Sequence, residues 1–236
     1  MILGATGAIG AAVAAELAGR GARLVLLGRD LGRLHALAAS TGGATAPLTR
    51  IDAESVRDTL RAACAGTPIQ GIAHCVGSLL LKPAHRTSGS EWHEVVETNL
   101  SSAFGVTMAA PELITAGGGV VFVSSVAAAV GLPNHEAIAA AKAGLEGLAR
   151  AAAATHARRR IRFHCVAPSL VASRMTTNLL ERPGVAAAAA SQNPSGRIGR
   201  PEDVARAIAF LLDPASDWLN GQTIGVDGGF GSLRPH

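Results

Sequence analysis

The chain has 236 residues, 48% hydrophobic and 16% charged; with five Phe, two Trp and no Tyr, this excludes a disordered protein and implies one sizeable core filled by Ala, Val, Leu and Ile. A net charge of +4 gives no reason to expect a nucleic-acid partner. Three cysteines without a CxxC pair (Cys64, Cys75 and Cys165) point away from disulfides and zinc and toward a reducing, cytoplasmic setting, and no His, Asp or Glu spacing suggests another metal.

The apolar N-terminus through Leu17 lacks a basic leader and carries Glu16, so it reads as buried structure rather than a signal segment. A two-residue strand, Ile2–Leu3, runs into Gly4-Ala5-Thr6-Gly7-Ala8-Ile9-Gly10 and a helix near Ala8–Ala18. Gly4 permits a tight turn, Gly7 lets the backbone approach a pyrophosphate, and Gly10 lets helix and strand pack closely. The start of the helix offers unpaired N–H groups to phosphate oxygens. Gly4, Thr6, Gly7, Ile9 and Gly10 are therefore candidate cofactor-binding residues. The second strand, Leu24–Leu27, ends at Gly28-Arg29-Asp30. An acidic residue at this tip would bind a ribose 2′-hydroxyl and favour NAD, whereas Arg29 suits the 2′-phosphate of NADP. NADP is the expectation, with NAD left open by the neighbouring Asp30.

A helix near Leu31–Ser40, a strand at Ala46–Leu48, a helix near Glu54–Ala63 and a strand at Gly71–Cys75 continue the alternation. An irregular stretch, Leu79–Ser90, precedes a long helical pattern over Glu91–Ile114. A strand at Val120–Ser124, a helix at Glu136–Ala157 and a strand at Arg162–Val166 follow. The basic cluster Arg158, Arg159, Arg160 and Arg162 has no interleaved aromatics and reads as solvated surface. A second irregular stretch, Ser173–Arg200, reads either as a substrate lid (173–200) or as a plain surface connection. A helix at Pro201–Leu211 and a strand at Thr223–Val226 close the chain. Strand–helix alternation of this kind predicts a single-domain, Rossmann-type α/β fold over residues 1–236. Its doubly wound parallel sheet has about seven strands, with helices on both faces. No segment has the length and apolarity of a membrane span.

The C-terminal third carries Arg197-Ile198-Gly199-Arg200-Pro201-Glu202-Asp203-Val204-Ala205, then Phe210-Leu211-Leu212, Asn220-Gly221-Gln222 and Val226-Asp227-Gly228-Gly229. With the N-terminal glycines, these residues resemble the short-chain dehydrogenase/reductase family over nearly the whole chain. The resemblance implies roles for single positions. Asp52 matches the acid that contacts adenine, and Asn99 the active-site asparagine. Ser125 lies 17 residues before Lys142, the family's spacing of catalytic Ser and Lys. Lys142 matches the lysine that holds the nicotinamide ribose. Pro168, Val171 and Ser173 fall in the loop that binds the carboxamide.

The resemblance breaks at its centre. The family's tyrosine, four residues before the lysine, is Ile138 here, and no other tyrosine exists to replace it. A positioned proton-transfer group is worth on the order of 10²–10⁴ in rate, and isoleucine cannot supply it. His74-Cys75-Val76-Gly77 also departs from the family's two asparagines, alanine and glycine. The first strand is very short, as it would be if upstream residues were missing. One candidate to handle the proton is His135, seven residues before Lys142 and so on nearly the same helix face, behind a plausible N-cap at Asn134. Its other reading is a polar residue at a helix end. His74 reads as a packing histidine, and His93 and His164 carry no role.

Three functions follow from these residues. The first is an NADP(H)-dependent oxidoreductase acting on a small-molecule carbonyl or alcohol with an altered proton group. The second is a catalytically inactive NAD(P)-binding sensor or scaffold, favoured by Ile138. The third is a non-redox isomerase or lyase on the same fold. Leu79, Leu80, Met175, Leu179 and Leu180 hint at an apolar substrate. Ala139–Ala141, Ala143, Gly144 and Gly147 make the Lys142 helix small-sided, and the resemblance implies that it packs on a twin subunit in a homodimer or homotetramer.

Overall fold

The computed structural model describes residues 1–64 and 66–233. Seven strands form one parallel sheet in the order β3-β2-β1-β4-β5-β6-β7. They are β1 (Ile2–Leu3), β2 (Val25–Gly28), β3 (Ala44–Pro47), β4 (Gly71–His74), β5 (Gly118–Val123), β6 (Ile161–Pro168) and β7 (Thr223–Val226). The helices between them are α1 (Ala8–Gly19), α2 (Leu31–Thr41), α3 (Ala53–Cys64), α4 (Gly89–Val96), α5 (Ser102–Leu113), α6 (Glu136–His156), α7 (Thr177–Leu180), α8 (Val185–Gln192) and α9 (Pro201–Leu212). This is the doubly wound, single-domain Rossmann-like α/β fold expected. Strand order reverses between β1 and β4, and the crevice beyond the carboxyl ends of those strands is where such sheets take ligands.

Each face of the sheet is covered. On one side α3, α5 and α6 bury Val56, Leu60, Val106 and Leu145 against Phe122 and Phe163. On the other, α1, α2 and α9 bury Val13, Leu34, Val204 and Ile208 against Ile2, Leu26 and Val121. With so few aromatics, close packing falls to small residues. A side chain on Gly105 of α5 would run into the Ala53 carbonyl of α3. Phe122 and Phe163, with ring centroids 6.2 Å apart, are the large exceptions.

Several expectations shift. The long helix over Glu91–Ile114 is two helices joined by a π turn, Glu97–Ser101. The third strand begins two residues earlier than expected, at Ala44, where it pairs with Val25. Arg162 is not part of a solvated cluster. It is buried at the start of β6, and its guanidinium donates to the carbonyls of Leu211, Ser216 and Asp213 at 2.7, 3.1 and 3.1 Å. A buried charge is tolerated there because it satisfies the orphan carbonyls at the end of α9. Residues 173–200 are not irregular throughout, since they carry α7 and α8. Among the described residues no helix is long and apolar enough to cross a membrane, and no cluster of His, Cys, Asp and Glu could hold a metal.

Candidate active site

The glycine turn has the geometry its residues imply. Gly4 has φ 72°, and a Cβ there would lie 2.8 Å from the Cys75 carbonyl. A Cβ on Gly10 would overlap the Gly4 oxygen, so neither position accepts a side chain. The turn closes through Gly7 N–H donating to Gly4 O at 2.9 Å. Gly7 caps α1 without a side chain, and the first turn of α1 holds no acidic residue. The first N–H groups of the helix are thus left for a ligand, and an anionic diphosphate fits that cradle.

At the tip of β2 the two charged residues separate. Asp30 caps α2, accepting from Arg33 N–H at 3.1 Å and pairing with the Arg33 guanidinium at 3.2 Å. Arg29 is exposed and has no ion-pair partner among the described residues. Asp52 plays the same capping part for α3, accepting from Ser55 N–H at 3.0 Å and pairing with Arg50 at 3.0 Å. Those bonds hold its carboxyl down at about 2. Asp52 borders a depression with Arg50, Glu94 and Glu97, separate from the cleft described next.

That cleft, about 390 Å³, opens beyond β4, β5 and β6. Asn99, Ser125, Lys142, His135 and Ile138 all border it, as do Ile9, Pro168, Val171 and Ser173. Thr6, Gly4, Gly7 and Gly10 form the turn beside it, while Arg29 and Asp52 stand outside its lining.

Asn99 is fully buried in the π turn. Its side-chain amide donates to Val95 O at 3.0 Å, the carbonyl that an unbroken α-helix would give to Asn99's own N–H. Ser78 locks the same amide from across the crevice, its N–H donating to Asn99 Oδ1 at 3.2 Å and its hydroxyl accepting from Nδ2 at 3.0 Å. A Cβ on Gly77 would stand 3.1 Å from Asn99 Oδ1 and 3.6 Å from Lys142 Nζ, so this glycine is the floor on which the two meet.

Lys142 is buried on α6 and donates Nζ to Val123 O at 2.7 Å. Burial lowers its pKa to about 8. Burial pushes the Cys75 and Cys165 thiols up to about 12, so they are neutral near pH 7. Ser125 accepts from Ala127 N–H at 3.2 Å, which orients its oxygen. Its neighbour Ser124 is committed elsewhere, donating to Glu146 Oε1 at 2.7 Å.

His135, half-buried, is itself the N-cap of α6, and Asn134 precedes it in the left-handed region at φ 63°. The expected Asn134 cap is thus displaced by one residue, and His135 reaches the cleft from the cap rather than from the helix body. Its Nδ1 lies 2.8 Å from Pro133 O. A carbonyl only accepts, so Nδ1 carries the hydrogen and Nε2 of the neutral ring is an acceptor. Ile138 packs with Val95, Ala137, Ala141 and Leu80.

Residues 173–200 are anchored in part by two residues that the sequence reading does not single out, Thr176 and Asn193. Val171 bridges Gly199, and Ala172 N–H donates to Gly199 O at 3.0 Å. Thr176 accepts from Ser173 N–H at 3.0 Å and sits 3.1 Å from its hydroxyl. Buried Asn193 donates to Asp227 O at 2.7 Å. Nothing in the sequence marks Thr176, whose bonds to Ser173 and Val171 depend on the local turn, or Asn193, whose partner Asp227 lies 34 residues later.

Among known proteins, the family model described as enoyl-(acyl carrier protein) reductase matches residues 4–231. A tropinone reductase homologue of Arabidopsis thaliana is 34% identical over 98% of this chain and 90% of its own. The crystal structure of a short-chain dehydrogenase/reductase from Brucella melitensis superposes with a TM-score of 0.90 at 30% identity, covering 97% of this chain and 94% of that one. A gluconate 5-dehydrogenase from Burkholderia cenocepacia, solved with NADP and tartrate, gives 0.92 at 25% identity, covering 98% and 94%.

Proposed function

The chain belongs to the short-chain dehydrogenase/reductase family, and on that premise we propose that it is an NADP(H)-dependent oxidoreductase of an apolar carbonyl or alcohol in which His135 and Ser125 do the work of the absent phenol. The observation that carries this reading is the convergence of Asn99, Ser125, Lys142 and His135 on one cleft beside an uncapped glycine turn. The Burkholderia relative's NADP supports the choice of cofactor, as does Asp30, whose commitment to the α2 cap leaves Arg29 as the charge at the ribose position.

The nicotinamide, when bound, supplies or takes a hydride at the substrate carbon. Ser125 donates its hydroxyl hydrogen to the substrate oxygen. In the oxidative direction Nε2 of neutral His135 accepts the alcohol proton, and in the reductive direction the imidazolium returns it. Lys142 holds the ribose hydroxyls through its ammonium, and Pro168, Val171 and Ser173 form the wall for the carboxamide. Gly4, Thr6, Gly7, Ile9 and Gly10 receive the diphosphate and adjoining ribose. Asp52, held at the start of α3 by its capping bonds, faces the adenine.

Among the described residues, Lys142 is the only Lys, Arg, Asp or Glu in the cleft lining, whose substrate side is set by Leu79, Leu81, Leu132, Met175, Leu179 and Phe230. A lining without a countercharge suits an uncharged, apolar ketone or alcohol. Residues 173–200 act as the lid over it. The small-sided α6 supports a homodimer or homotetramer.

The test is to measure NADPH and NADH binding by calorimetry, and then NADPH-dependent reduction of a panel of alicyclic ketones. Binding of NADPH with turnover by the native chain is expected. Turnover confined to an Ile138→Tyr variant would instead identify a nucleotide-binding protein without redox activity, the reading that the apolar packing of Ile138 favours.

A further inference from the structure

We propose that Arg174 is a ligand of the cofactor's diphosphate and ties the first turn of the lid to the bound nucleotide. The inference rests on the nucleotide-binding reading above and adds to it a residue that the family motif does not include.

Arg174 follows Ser173 at the base of the lid. Its Nη2 donates to the backbone carbonyl of Thr6 at 2.7 Å, 168 positions away in the chain. Thr6 lies inside the glycine turn, immediately before the Gly7 cap of α1. The guanidinium is therefore parked at the positive end of a helix that has no acidic residue in its first turn and no side-chain cap. Among the described residues no carboxylate forms an ion pair with it. A cation at that end of a helix is repelled by the dipole, and an anion between the two turns that repulsion into two attractions.

One carbonyl occupies one of five guanidinium donors, so the rest of the fork is available. The uncapped N–H groups of α1 and this fork converge on the same space, and a diphosphate has enough oxygens for both. The backbone behind Arg174 is fixed by the Val171–Gly199 bridge and by Ser173 N–H donating to Thr176, whereas the side chain is exposed and held by the single bond to Thr6. Exchange of Thr6 O for phosphate oxygens then needs only a side-chain rotation. It leaves Met175, Thr176 and Leu179, which border the cleft, following a residue held by the cofactor.

Calorimetric titration of the native protein, Arg174→Ala and Arg174→Gln with NADPH, NADH and adenosine 2′-monophosphate tests this. A lost charge-assisted contact weakens both dinucleotides by a similar factor, about tenfold or more, and leaves the diphosphate-free monophosphate unchanged. Arg174→Lys, which keeps the charge without the fork, falls between. Unchanged NADPH affinity in both neutral variants overturns the assignment, as does a loss confined to NADPH, which would place Arg174 at the 2′-phosphate. If the native protein binds neither dinucleotide, the nucleotide-binding reading itself falls, a result distinguishable from an Arg174 variant that binds as the native protein does.

Discussion

The ammonium of Lys142 donates at 2.7 Å to the carbonyl of Val123, joining the middle of α6 to the carboxyl end of β5 under the cleft. The bond offsets part of the cost of burying a cation, but the pKa is still lowered from 10.5 to about 8.

That shift makes two pH effects. The Lys142 ammonium proposed to hold the ribose is lost as pH rises through about 8, so NADPH affinity of the native protein should fall above that pH with a one-proton slope. Lys142→Met should bind more weakly at pH 7 and show no such slope. Stability moves the other way. Between pH 8 and 10.5 the unfolded chain holds a proton that the folded one has released, so unfolding free energy attributable to this site rises across that window. Denaturant titrations of the two proteins at pH 7.5 and 10 read the difference.

His74 governs the acid side. Its Nε2 lies 2.8 Å from Ser102 Oγ, whose own hydrogen goes to Thr98 O at 2.7 Å, so His74 donates through Nε2. Burial, reinforced by the charge of Lys142, lowers its pKa to about 3, and burial with Arg162 nearby lowers His164 to about 4. Below pH 6.5 the unfolded imidazoles take protons that the folded ones refuse, and stability falls as pH drops from 6.5 toward 3. A His74→Asn variant should show a shallower decline in melting temperature between pH 6.5 and 5.

Arg29 and Asp30 should respond to mutation in different measurements. Arg29→Ala should weaken NADPH by about tenfold or more while leaving NADH nearly unchanged, since only the 2′-phosphate distinguishes the two. Asp30→Ala should cost roughly 0.5–2 kcal/mol of stability by uncapping α2, without changing the NADPH-to-NADH ratio. Binding constants and melting curves on the two variants separate these effects.

Gly10→Ala should abolish nucleotide binding and lower the melting temperature, because its Cβ would overlap the Gly4 oxygen inside the turn. Gly19→Ala, at the other end of α1 with open space around its position, is the control and should leave both measurements near native.

The parallel sheet and most helix limits are legible because strand and helix periods alternate cleanly along this chain, whereas the strand order comes only from the structure. β1 and β7 match the sequence reading residue for residue, and α6 differs by one residue. The π turn at Glu97–Ser101 was not legible, since one slipped hydrogen-bond register leaves the apolar pattern nearly intact. Arg162 was misread because its three carbonyl partners come from around the end of α9, about fifty residues later. Asn99, Ser125, Ile138 and Lys142, placed by the family motif, all border the cleft, as does His135, placed by helix spacing. The tautomer of His135 was not legible, because it depends on the oxygen of Pro133 in a loop whose path spacing cannot give. Nor was the separation of Arg29 from Asp30, which is settled by a cap on α2.

In a site without a phenol, His135 is the proposed carrier of the proton. That role is tested most directly by the pH-dependent rate of NADPH-driven ketone reduction in the native protein and in His135→Ala. The account predicts a loss on the order of 10²-fold or more in kcat for the variant, with NADPH affinity unchanged and partial recovery by added imidazole. Equal rates in the two proteins, on a substrate the native chain turns over, would contradict it.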